Sequence, residues 1–279
     1  MRKLEKPDDD AKVVFLTCID NMRESPLKSN LKSIAATVEA EAEQYETKAQ
    51  AALFFKMPQN HALPVTDEQL KGIYDSKFAK KGQPGRFYYD KLKAIPSHGI
   101  CPLCGQRVVS TLDHYLPKAH FPLLSVVPTN LIAACSECNK SKKDRIPEDA
   151  SDQTLHPYFD SVDGEQWLYS EVCIGSPVSL RFYVSPPGEW DDVIKARIRK
   201  HFEGLGLGSL YASHSGAELA VIKVMLEKLF SRGGSESVKN HLHDIYDSHA
   251  AIHLNSWQTA MYQALASCDW YCDGGFNNA

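Results

Sequence analysis

Apolar positions along the chain follow two different periods. In "SPLKSNLKSIAATVEAEAEQYETKAQAALFF", Leu27, Leu31, Ile34, Val38, Tyr45 and Ala49 fall at three-to-four-residue spacing or its multiples, which predicts one amphipathic helix with a single buried face. Ser25-Pro26 supplies its N-cap and a proline at the first helical position. Thr66 with Gln69 makes a capping box ahead of Leu70, Ile73, Tyr74 and Phe78, so a second helix starts there. "GRFYYDKLKAI" predicts a third, set off by Gln83-Pro84-Gly85. The pattern then changes. "RVVSTLDHY" is β-prone, "PLLSVV" is a short apolar run bounded by prolines that reads as a second strand, and "SECNKSKKD" reads as a short helix with Ser136 near its cap. Further on, "EQWLYSEVCIGSPVSLRFYVSPP" reads as a hairpin turning at Gly175-Ser176-Pro177. "DDVIKARIRKHF", "AELAVIKVMLEKLF", "SVKNHLHDIYDSHAAIH" and "SWQTAMYQALAS" carry helical periodicity. The expected class is α+β, mostly helical with a small β-containing insert. Three regions are expected: a helical one over 1–97, a compact one over 98–150, and a hairpin with helices over 151–279.

Composition narrows the setting. No run approaches the ~18 consecutive apolar residues of a membrane span, and "MRKLEKPDDDAK" turns polar where a signal peptide would turn apolar. The expectation is a cytoplasmic protein without a membrane partner, in which clustered cysteines mean metal or catalysis rather than disulfides. The net charge of −4 hides an asymmetry. Ser76 to Arg145 holds twelve Lys or Arg against four Asp or Glu, a surplus of eight positive charges, so the remainder carries −12. Charge sorted in this way suits a polyanion on the basic face, and equally a solvated lysine-rich surface.

Four of the eight cysteines form two knuckles, Cys101-x2-Cys104 and Cys135-x2-Cys138. Each presents two thiolates, and together they complete a closed tetrahedron for a structural Zn2+ with no open position for chemistry. Cys18 and Cys173 read as single core residues, and Cys268 with Cys272 lacks a partner pair. Between the knuckles lie Asp113-His114, Asn130 and, just after Cys138, Asn139, with Lys118, Lys142 and Lys143 nearby. If the hairpin folds back on the helix, the Asp113 carboxylate and the Asn139 amide oxygen form a hard donor pair for a magnesium-like ion. His114 projects to the other face of its strand and stands free to take a proton from water.

"CPLC…LDHYLPK…PTNLIAACSECNKSK" resembles the HNH endonucleases over roughly residues 98 to 146. The likeness implies a ββα-metal core braced by zinc, with His114 as general base. Asp113 and Asn139 would be ligands of Mg2+ or Mn2+, and Asn130 would brace the loop that holds His114. Asn139 stands where the family name puts its last His, which argues against a softer catalytic metal. Lys118, Lys142 and Lys143 are expected to contact nucleic acid. More loosely, "LHPYFD" and the hairpin-then-helices tail resemble HNH proteins of bacterial anti-phage systems such as Septu, which implies antiviral defence and an ATPase partner or a homo-oligomer. The leading expectation is DNA cleavage; RNA cleavage and a non-catalytic zinc-braced adaptor are the alternatives. The i, i+4 pair in "HAAIH" lacks a third ligand, and "GLGLGS" follows a helix rather than a strand, so both read as incidental. His156 and Asp160 in "LHPYFD" read as a turn packed by Tyr158 and Phe159, and His120 is left without a role.

Overall fold

The computed structural model describes residues 1–59 and 61–278. The chain divides into two compact units, Met1–Asp160 and Ser161–Ala279, so the regions expected at 1–97 and 98–150 share the first of them.

In the first unit α1 (Ala11–Asp20) starts at Asp10, whose side chain accepts from the Val13 amide at 2.8 Å. Val14, Phe15, Cys18 and Ile19 form its buried face. The long helix expected from Ser25 is two helices, α2 (Pro26–Ser33) and α3 (Ala35–Gln50). Ser33 Oγ donates to the Asn30 carbonyl at 2.8 Å and the Ile34 amide turns back to Leu31, so local hydrogen bonds compete with the helical ladder and break it at Ile34. Lys28 is buried, and its ammonium donates to the Asp20 and Met22 carbonyls, closing the end of α1. The capping box forms: the Thr66 hydroxyl accepts from the Gln69 amide and the Gln69 side chain from the Thr66 amide, opening α4 (Asp67–Ile73). A π-helical turn (Tyr74–Phe78) follows and then α5 (Arg86–Lys93).

The expected strand at "PLLSVV" does not form. Pro122–Leu124 and Pro128–Asn130 are 3-10 turns, because neither proline can donate to a ladder and both fit the first position of a turn. The strand lies just beyond: β1 (Thr111–His114) pairs antiparallel with β2 (Leu131–Ala134), setting Asp113 opposite Ile132 and His114 opposite Leu131. After β2 comes α6 (Ser136–Lys142), capped by Cys135 rather than Ser136. In the second unit β3 (Leu168–Cys173) and β4 (Ser179–Val184) form the expected hairpin, and α7 (Asp192–Gly204), α8 (Leu207–Ile252), α9 (Trp257–Ala266) and α10 (Asp269–Cys272) follow. The two helices expected within α8 are continuous except at Gly233 and Gly234. There Gly234 takes a positive φ of 64°, open to glycine without strain. Among the described residues no helix is long and apolar enough to cross a membrane.

Candidate active site

The two knuckles come together. The four thiol sulfurs of Cys101, Cys104, Cys135 and Cys138 lie within 4.8 Å of one another and all four residues are buried. A tetrahedron with ~2.3 Å zinc–sulfur bonds fits such a set. Each knuckle also turns a backbone amide toward sulfur, Arg107 to Cys104 and Cys138 to Cys135, both at 3.4 Å. Such donors favour thiolate over thiol. Hydrogen bonds among the four thiols push Cys104 and Cys135 down and Cys101 and Cys138 up, as when two of the four share their protons with the other two. Gly105, at φ +65°, closes the first knuckle with its amide on the Cys101 carbonyl.

Asp113 and His114 are adjacent on β1 and therefore diverge. Asp113 is buried and meets α6: Lys142 Nζ lies 2.7 Å from its Oδ2 and also donates to the His114 carbonyl. Only 5% of the Asp113 side chain and 12% of Lys142 are exposed, so this is an interior ion pair. Burial pushes the Asp113 carboxyl up and the Lys142 ammonium down, each opposed by the other's charge. Lys142, expected to contact nucleic acid, fills a cation position beside the carboxylate. The sequence offered no distance by which to see this, because Lys142 is 29 residues from Asp113.

His114 turns the other way. Its Nε2 is 2.9 Å from the Ser125 carbonyl, which can only accept, so Nε2 carries the proton and Nδ1 keeps its lone pair. Tyr74 packs edge-on with ring centroids 4.5 Å apart. Burial pushes the imidazole down to about 3, which keeps it neutral and makes it a weaker base than a solvated imidazole. Neither Ser125 nor Tyr74 was marked by sequence: one hid in the expected strand, the other on a helix face.

Asn130 is fully buried. Its Oδ1 accepts from the Leu116 amide at 2.7 Å, and its Nδ2 donates to the Leu116 and Leu124 carbonyls at 3.0 and 3.2 Å. It therefore ties the chain after β1 to the turn that presents Ser125. Asn139 is partly exposed three residues before Lys142 on α6, and its side chain makes no hydrogen bond among the described residues. Lys118 pairs with Asp75 at 2.6 Å and lies over the Tyr74 ring at 4.7 Å. Lys143 is exposed and ends α6. Lys80, Lys81 and Lys140 are likewise exposed, and among the described residues none of these four makes an ion pair. His156 is buried, 2.9 Å from the Tyr45 hydroxyl, and its amide donates to Asp160 at 2.6 Å.

Residues 101–145 match the family model for HNH endonuclease. Over nearly its whole length, 98% of this chain and 100% of the relative, the sequence is 28% identical to Protein ea31 of Escherichia phage lambda. No solved structure matches the chain significantly.

Proposed function

Taking the HNH endonuclease match over residues 101–145 as premise, we propose that the chain is a metal-dependent endonuclease that hydrolyses phosphodiester bonds in DNA. The observation that carries the reading is His114: a neutral imidazole fixed through Nε2 to Ser125, with Nδ1 free, one residue from a buried carboxylate. Nδ1 of His114 takes the proton from the attacking water. The Ser125 carbonyl steadies the imidazolium that results, and Asn130 keeps Ser125 in place. Asp113 and Asn139 would hold Mg2+ or Mn2+, which supplies Lewis-acid stabilisation of charge on the phosphate. The fit rests on Asp113, whose buried carboxylate already faces a cation, the Lys142 ammonium. Lys118, Lys143 and, once freed from Asp113, Lys142 neutralise backbone phosphates.

The closed Asp113–Lys142 pair favours one other reading, a zinc-braced adaptor that binds nucleic acid without cutting it. Plasmid DNA and total cellular RNA incubated with the protein in Mg2+ or Mn2+ separate the readings. A nuclease of the proposed kind cuts the plasmid, an RNA enzyme degrades only the RNA, and an adaptor leaves both intact. His114→Ala should cut at least about 10²-fold more slowly while still binding DNA, the scale of a lost general base. An unchanged rate in this variant removes His114 from the chemistry. Deployment in anti-phage defence beside an ATPase, or as a homo-oligomer that pairs two sites, rests on the flanking likeness and is a further proposal.

A further inference from the structure

The segment from Ser76 to Lys93 holds six Lys or Arg against one Asp, and none of them carries a role in the site described above. Two of the six are spent internally. Lys91 pairs with Asp8 and Asp9, and the Arg86 guanidinium donates to Asp90 and to the Ala79 carbonyl while lying over the Tyr89 ring at 4.3 Å. The Arg86 contacts close the loop from Ala79 onto the start of α5. At Gly85 a Cβ would lie 2.6 Å from Cys18 Sγ and 2.9 Å from the Lys77 carbonyl oxygen, so this loop is seated against α1 without slack. Lys80 and Lys81 on the loop are exposed, and neither they nor Lys93 at the end of α5 makes an ion pair among the described residues. Arg86 first, then Lys93 and Lys81, hold the Asp90 carboxyl below the usual carboxylate range, which places both lysines near it.

Phe87 stands one turn before Asp90 on α5 and is 69% exposed, more than any other aromatic side chain among the described residues. One exposed aromatic by itself is ordinary. Here Tyr88 meets the Phe87 ring at 5.4 Å between centroids, with the planes at 76°, and uncompensated cations stand on the same loop and helix. The helix is also part of the site's frame. It packs on β1 and β2, and ring contacts of 4.5, 5.6 and 6.1 Å lead from His114 through Tyr74 and Phe78 to Tyr89. Phe87 projects from the other side of that helix, so a strand touching both would run several nucleotides, at ~3.4 Å each. In a duplex each base face is covered by its neighbours. A solvent-facing ring among cations therefore finds a free base only on an unpaired strand.

We propose that Phe87 is a stacking platform for an unpaired base, with Lys80, Lys81 and Lys93 on the flanking phosphates, so that the substrate carries single-stranded nucleotides beside the cleaved bond. Fluorescence anisotropy of the full-length protein without added divalent metal tests it, using a labelled single-stranded DNA oligonucleotide and a duplex of the same length. The single strand should bind more tightly. Phe87→Ala should weaken that binding about tenfold, the scale of one lost base–aromatic stack, leaving duplex affinity nearly unchanged, and Phe87→Trp should retain it. Lys80→Ala combined with Lys81→Ala should weaken both and lessen the salt dependence. Circular dichroism checks that each variant is folded. Wild-type single-strand affinity in Phe87→Ala, an equal loss for both DNAs, or a wild type that binds neither or prefers the duplex overturns the platform. The inference rests on the nucleic-acid reading above but not on cleavage. A protein inert toward plasmid that keeps the Phe87-dependent preference sinks the nuclease and supports the platform, and one that cuts plasmid without the preference does the reverse.

Discussion

Burial keeps the His114 imidazole neutral in the fold, whereas the unfolded chain protonates it near pH ~6.5. The folded value is the depressed one, so this stabilisation is complete above about pH 6.5 and is lost as pH falls toward about 3. The melting temperature should therefore drop between about pH 6.5 and 4, and His114→Asn, which does not titrate there, should show a flatter profile; parallel profiles would contradict the neutral imidazole. Lys142 makes a demand of the opposite kind. Lys142→Met leaves the Asp113 carboxylate buried without its counter-charge, which costs on the order of 3–5 kcal/mol for a broken interior pair. If Asp113 is a metal ligand, Mn2+ should return much of that stability and bind more tightly than to wild type, since the ammonium no longer competes. A variant that melts like wild type and loses only DNA affinity would make Lys142 a simple phosphate contact.

Among the elements, the turn between β1 and β2 governs the site more than either strand does. Asn130→Ala strips partners from the Leu116 amide and carbonyl and from the Leu124 carbonyl in a fully buried setting, and should cost about 3 kcal/mol in urea unfolding. Asn130→Asp keeps the Leu116 amide bond but sets a buried carboxyl against two carbonyl oxygens, so it should cost at least as much; a change under about 0.5 kcal/mol in both variants would mean the brace does not hold the turn. This turn was the least legible stretch, since "PLLSVV" has strand composition and only its prolines argue otherwise. Elements that end on side-chain chemistry read well: the Ser25 and Thr66 caps both form. The break at Ile34 was missed because Ser33 acts through a hydrogen bond that periodicity does not register. Helix α1 leaves a weak mark, because its apolar run from Val13 to Leu16 is too short and continuous to show a helical period.

At the scale of the whole molecule, the cysteine cluster belongs to the first unit and ties residue 101 to residue 138. Chelation or Cys138→Ser should therefore raise hydrogen exchange over roughly residues 98–146, because metal-binding energy is folding energy in a segment this small. The helices of Ser161–Ala279 should stay protected, and one zinc per chain should appear by elemental analysis; protection that survives chelation would remove the structural role. The sequence by itself determined the knuckles, the order of Asp113, His114, Asn130 and Asn139, most helices and the hairpin in the second unit, because spacing, caps and turn residues act over a few positions and leave a local mark. The tertiary structure alone decided that Lys142 sits on Asp113 and that Ser125 fixes His114. Those contacts join residues 11 and 29 positions apart, and their energy depends on burial and distance, neither of which a linear pattern contains.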